Sequence, residues 1–303
     1  MRAAPGRTEA RDQAGTIAPV QPARRSQIRV RKVRFEYPAD LEVRWSTRRP
    51  EFACVANAAS LLMPYVEPYV VKSARSALPD LSPELAVRTE GYLKQELQHH
   101  VQHRHFNDVL LVHYPRMRRF EGWMRKTFNW LGRTRSRNFN LAFAAGFETV
   151  AYSSARWTDE HLDELFEGAD PIPATLLLWH LAEEVEHKTV AFDVYDEAGG
   201  GRWMYGAGMV ASFLLLAWFT LVGTCMMLFA DRRFFRPVTH FRLLKWSFSL
   251  VFEIVPNMLA SAMPGHHPSE FIDPPFLTAW LRQYDPTTGT IPVPTVIEPA
   301  ASP

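Results

Sequence analysis

The sequence predicts an all-α fold, and three observations carry that prediction. From Phe52 to about Phe271, apolar residues recur at helical spacing almost without a break. Only one short run, IRVRKVRFEY at 28–37, alternates as a strand does. The stretch WHLAEEVEHKTVAFDVY at 179–195 is helical in period but carries histidine and glutamate within its apolar stripe. At about 100° per residue, Glu184 stands roughly 40° from His180, and His187 roughly 20° away on the other side. Leu176, Leu177, Ala191 and Val194 share that stripe, which normally faces a core. Ionisable groups placed there need partners or a metal, because burying them alone is costly.

Composition sets the bounds. A chain of 303 residues with 47% hydrophobic and 22% charged residues is globular, long enough for one large domain with tails, and neither fibrous nor disordered. The formal net charge of +2 singles out no class of partner. Cys54 and Cys225 are the only cysteines and have no Cys-x-x-Cys context, so both read as core thiols in a reducing cytosol. The sequence carries no phosphate loop, nucleophile elbow or zinc finger. Nucleic acid is not an expected partner. Its one basic run, RRSQIRVRKVR, reads more simply as solvated or as an anchor to anionic lipid.

Along the chain, residues 1–27 read as a disordered basic tail without the apolar run of a secretory signal. Residues 28–283 read as a single helical domain, in which 28–51 form an extended lead-in containing the short strand. The first helix includes ANAASLLMPYVEPYVVKSA, where Glu67 is the only acid and lies between Pro64 and Pro68. Proline inside a helix removes a hydrogen bond, so either the helix bends at Glu67 or Glu67 is not a ligand. The second, YLKQELQHHVQHRHFNDVLL, holds Glu96 and His99 as Glu-x-x-His, with His103 one turn further on the same face and read as a group that supports a ligand. The third, NLAFAAGFETVAYSSARW, has Glu148 as its only acid and Tyr152 one turn later. The fourth is the 179–195 stretch, which repeats the pattern as Glu184-x-x-His187. Glu183 lies at the edge of its stripe as an alternative ligand or supporting acid, and Glu186 is expected to meet solvent or Arg156. His100, His105 and the GHHP turn at 265–268 are expected at the surface or in a loop.

Residues 203–263 follow as apolar helices. The stretch 207–230 has no charge, is long enough to cross a hydrocarbon layer, and is followed by Arg232, Arg233 and Arg236. Membrane contact through 207–230 is therefore expected, against the alternative of a central helix in a large core. The segment 246–263 is weaker, interrupted by Glu253 and Pro256. Residues 284–303 form a Pro-rich, extended tail. The expected location is cytoplasmic, with association to the inner face of the cytoplasmic membrane through 207–230.

A dinuclear carboxylate site in a four-helix bundle takes one Glu from each of two helices and one Glu-x-x-His from each of the other two. Glu67, Glu96-x-x-His99, Glu148 and Glu184-x-x-His187 supply that set on four successive helices. In this order the chain resembles the ferritin-like di-iron carboxylate proteins over residues 52–196. The resemblance implies a ferritin-like four-helix bundle with additional apolar C-terminal helices. His180, four residues before Glu184, resembles the extra imidazole of the di-iron N-oxygenases. The wording ELQHHVQHRHFN and WHLAEEVEHKTVAFDVY is similar to a bacterial family labelled predicted metal-dependent hydrolases. What these likenesses imply is a centre of two iron ions, or manganese or a mixed pair, held by Glu67, Glu96, His99, Glu148, His180, Glu184 and His187. Glu96, Glu184, His180 and Tyr152 take the catalytic roles. The expected activity is an O2-dependent oxygenase or oxidase acting on a small apolar or lipid-like substrate, with an unidentified electron donor, in a pocket lined by Phe143, Ala144, Phe147 and Tyr152. The alternatives are a hydrolase using metal-activated water and a ferroxidase or iron-binding protein. A homodimer stays open.

Overall fold

Proline and capping side chains set where the helices begin. Pro50, Pro83, Pro171, Pro237 and Pro275 each occupy the first helical position, where a missing N–H costs nothing. Ser136, and Asp170 just before Pro171, accept a hydrogen bond from the backbone N–H of Phe139 at 3.2 Å and of Ile172 at 2.9 Å. The computed structural model describes residues 28–38 and 40–297, so the expected basic tail and the last residues of the Pro-rich tail lie outside the described residues. The helices are α1 (Pro50–Arg75), α2 (Pro83–His113), α3 (Met117–Thr134), α4 (Arg137–Glu160), α5 (Leu162–Phe166), α6 (Pro171–Glu197), α7 (Arg202–Ala230), α8 (Pro237–Ala262) and α9 (Pro275–Leu281). The fold is all-α.

Four of these helices close a ring. α1 packs on α2, α2 on α6, α6 on α4 and α4 on α1, which is the arrangement of a four-helix bundle. The four are not successive, because α3 intervenes between α2 and α4 and the short α5 between α4 and α6. α3 lays Phe120, Met124, Phe128 and Leu131 against the outside of the bundle, chiefly on α1. α7 lies along α4 and α1, and α8 also packs on α4. The α4–α7 crossing is close because both helices present glycine. A Cβ on Gly146 would stand 2.3 Å from Met209 Cα, and one on Gly208 would stand 2.5 Å from the Ala142 carbonyl carbon.

α1 runs through Pro64 and Pro68 as one helix. Proline at 64 leaves the Ser60 carbonyl without its helical donor, and Asn107 Nδ2 of α2 supplies one at 2.9 Å. Glu67 therefore stays in the bundle interior, fully buried.

Two expectations about the chain ends are corrected. Residues 28–37 alternate in burial, with Arg31 and Val33 inward, yet form no strand. The reason is that their neighbours are helices: Gln95 and Gln102 of α2 donate to the carbonyls of Arg29 and Val33 at 2.9 and 3.2 Å. The other neighbour is the Pro-rich segment, which ties back rather than trailing away. Gly289 O accepts from Arg34 N at 3.0 Å, and Tyr284, Ile291 and Ile297 join the hydrophobic core that begins at Val33.

Candidate metal centre

The bundle interior brings the predicted polar residues together in two adjoining groups. Glu96, His99, Glu184 and His187 offer ligand atoms that all lie within 4.8 Å of one another, and so do Glu67, His103 and His180. His180 Nε2 stands 3.4 Å from Glu184 Oε1, and its Nδ1 stands 3.8 Å from Glu67 Oε1, so it links the groups. Glu148 faces the first group, with Oε2 3.7 Å from His187 Nδ1. All of these residues are buried, most of them completely.

The unpaired atoms test whether this cage fits a metal. Both oxygens of Glu67, Glu96 and Glu184, Oε2 of Glu148, and Nδ1 of His99 and His187 make no hydrogen bond although they are buried. His187 Nδ1 approaches Glu96 Oε1 to 2.8 Å, and His99 Nδ1 approaches Glu184 Oε1 to 3.4 Å, without hydrogen-bond alignment. Orphaned buried polar atoms are rare in folded proteins and point to an ion. Four carboxylates with neutral imidazoles form a donor set that divalent cations neutralise, and it is composed of hard oxygen and borderline nitrogen ligands.

Outside the cage, each of the two Glu-x-x-His imidazoles is held by its other nitrogen. His99 Nε2 donates to Glu183 Oε2 at 3.0 Å, since a carboxylate only accepts, which leaves Nδ1 with its lone pair for the interior. His187 Nε2 donates to Gln95 Oε1 at 2.8 Å. The Gln95 amide is oriented by its NH2 group, which donates to Arg29 O at 2.9 Å and Glu186 Oε2 at 3.0 Å. One arginine of the lead-in joins both supports. Arg31 reaches Glu183 at 3.1 Å and grips Glu186 with both terminal nitrogens at 2.9 and 2.8 Å. Glu186 thus meets Arg31, not Arg156, which pairs with Glu253 at 3.2 Å and Glu160 at 3.5 Å. Tyr92 donates to Glu148 Oε1 at 2.6 Å and sets its ring edge-on to His187, 4.7 Å between centroids.

Without cations the cage is electrostatically frustrated. Burial and the Glu96 carboxylate push Glu67 well above the usual carboxylate range, and burial with Glu184 raises Glu96 and, by more, Glu148. Burial alone would lower His99, but Glu183 and Glu184 hold it up at about 10. His187 is likewise raised against its burial, by Glu184 and Glu96. His180 is lowered to about 3 by burial and by His99, and His103 is lowered by burial and by His180.

His103, expected to support a ligand, lies against His180. Its Nε2 lies 3.0 Å from His180 Nδ1 and its Nδ1 lies 2.8 Å from Ser60 Oγ, which donates in turn to Asn107 Oδ1 at 2.7 Å. It also borders a small, mostly apolar pocket walled by Ala56, Ser60, Phe106, Leu176 and Leu177. This is not the pocket expected on the Glu148 helix. Phe143 packs edge-on to Tyr69 and Phe128, and Phe143, Ala144 and Phe147 are interior packing residues. Tyr152 gives its hydroxyl to Ile272 O at 2.6 Å and stacks on Phe271, with no bond to the cage.

The remaining histidines fall outside the cage. His100 is half-buried and His105 exposed, and in the GHHP turn His267 accepts from Ser269 N and lies 2.8 Å from Asp193. Cys54 is buried, whereas Cys225 is partly exposed on α7 and so is not the core thiol expected.

No curated protein matches the chain, and no solved structure matches it. The family described as predicted metal-dependent hydrolase matches residues 29–271, from Arg29 beside the Glu186-binding arginine to Phe271 against Tyr152, and thus covers every residue of the cage. The chain belongs to this family of predicted metal-dependent hydrolases.

Proposed function

We propose that the chain is a dinuclear metal-dependent hydrolase acting on a small apolar substrate. The observation that carries this reading is the set of buried, unpaired carboxylate and imidazole atoms converging from α1, α2, α4 and α6, in a chain whose family description names hydrolysis. Cations bound there would supply Lewis acidity and lower the pKa of water toward neutrality. The chain's own residues do the rest. Glu183 and Gln95 keep the lone pairs of His99 and His187 aimed inward, and Tyr92 fixes Glu148. Ala56, Phe106, Leu176 and Leu177 set an apolar wall beside His103, the histidine that belongs to the cage and also borders the small pocket. In anaerobic assays with short-chain chromogenic esters, metal-loaded protein should hydrolyse substrate with saturation, and chelator-treated protein should not. Equal rates with and without chelator would overturn the reading.

A second reading is favoured by the ligand order. One Glu, a Glu-x-x-His, one Glu and a Glu-x-x-His on four helices of a closed bundle suit two iron ions, or manganese or a mixed pair, used for O2-dependent oxidation of an apolar substrate. Oxygen-rich donors favour the higher oxidation states such chemistry needs. Substrate turnover that requires both O2 and a reductant, with none under anaerobic conditions, would establish it over hydrolysis.

A further inference from the structure

α7 and α8 invert the usual pattern of a surface helix. Along α8 the charged side chains turn to the protein: Arg242 bonds Glu51 at 2.9 Å, Lys245 bonds Glu164 at 2.8 Å, and Glu253 meets Arg156 at 3.2 Å. Its polar Asn257 also points inward, donating to Ser153 Oγ at 3.1 Å. What remains outside is apolar. Phe241, Leu244, Phe248, Phe252 and Leu259 recur at helical spacing and are between 63% and 70% exposed. α7 does the same. It carries no charge after Arg202, and Val210, Leu214, Trp218 and Leu221 form a second exposed stripe opposite the glycine face that packs on α4. Only 28% and 22% of the most apolar stretches of the two helices are buried, which is less than a central core helix would show.

A soluble monomer rarely leaves an apolar face this long uncovered. We propose that the outer faces of α7 and α8 form a membrane-docking surface, which lies in the interfacial layer of a bilayer carrying anionic headgroups while the bundle stays in water. Three observations favour lipid over a second copy of the chain. Both helices carry a long apolar outer face, as a helix lying in the interface needs. The turn that joins them carries Arg232, Arg233 and Arg236, a basic cluster of the kind that attracts anionic headgroups. At the opposite end of α7, Trp203 is 95% exposed, and tryptophan prefers the boundary between headgroup and acyl chain. The inner face of α7 is committed to α1 and α4, so the helix lies along the bilayer surface and does not cross it alone.

The test is flotation of the metal-loaded full chain with phosphatidylcholine vesicles, with and without phosphatidylglycerol, at low and high salt. The protein should float with both, more with anionic lipid at low salt, and remain bound at high salt because apolar burial is not screened. Leu244→Glu/Phe248→Glu/Phe252→Glu should reduce binding by about a thousandfold, at roughly tenfold for each side chain withdrawn from the apolar layer. Quenching of wild-type tryptophan fluorescence by brominated lipid, diminished in Trp218→Phe, reads the same contact without the triple variant. A wild-type chain that stays monomeric and unbound overturns the proposal. So does a dimer that ignores vesicles and is dissociated by the same substitutions, which would make the face an interface between copies.

Discussion

Arg31 is the residue on which both supports of the cage depend, and its removal has a calculable consequence. Arg31→Ala leaves Glu183, fully buried, with His99 as its remaining partner, and leaves Glu186 with Gln95. Breaking a buried ion pair from one side costs about 3–5 kcal/mol, since the stranded carboxylate keeps its desolvation penalty. For a chain this size that corresponds to a fall in Tm of roughly 10 °C. The effect on metal is separate. Glu183 without its cation is no longer held in place, and His99 loses the fixed acceptor of its Nε2–H. Loss of such a supporting group typically weakens metal binding by about 10–100-fold. The assay is competition with a chelator of graded affinity, alongside thermal unfolding of metal-free and metal-loaded protein. Arg31→Lys keeps the charge but not the two-pronged grip on Glu186, so it should recover much of the stability and less of the affinity. If Arg31→Ala lowers Tm but binds metal as tightly as wild type, the arginine merely docks the lead-in, and the route from Arg31 through Glu183 to His99 is wrong.

Two further outcomes are expected. His187→Ala should cost metal outright, whereas His180→Ala should retain the ion at Glu96, His99, Glu184 and His187 and weaken the one at Glu67 and His103; equal losses in the two variants, read by metal analysis, would contradict the division into groups. Metal-free protein should lose stability as pH rises above neutrality: His99, raised to about 10, contributes stability that is complete below its unfolded value near 6.5 and lost as pH climbs through about 10, and the raised acids Glu67, Glu96 and Glu148 act in the same direction from the ordinary carboxylate range upward. Metal loading should flatten this dependence, because cations replace the protons, and a metal-free Tm constant from neutral to alkaline pH would refute the assignment.

The cage was legible because its residues obey helical period. Glu184, His187 and His180 stand in an apolar stripe, and Glu148 and Glu67 are lone acids in apolar helices, so burial follows from position alone. Tyr92 lay within reach of the same reasoning, one turn before Glu96 on its face. The supports were legible only in part: Glu183 stood at the edge of the stripe as an alternative ligand or supporting acid, and it holds His99. Gln95 and Arg31 matter through contacts across 92 and 152 residues of sequence, which no local pattern encodes. Residues 28–37 show the limit of period 2: alternation records that one face is buried, and it makes a strand only if the neighbour is another strand. The neighbour here is α2. Likewise α3 was absorbed into its surroundings, because its boundaries depend on how the chain turns between α2 and α4.

The unpaired ligand atoms of the cage suit two metal ions per chain, and metal analysis of the purified protein counts them. Protein from cells supplied with iron, manganese and zinc should carry close to two ions per chain. Glu184→Ala, which removes the carboxylate that lies against His99, His180 and His187 together, should carry fewer than one. The same content in wild type and Glu184→Ala, or a wild-type chain that remains metal-free after reconstitution, would contradict the account.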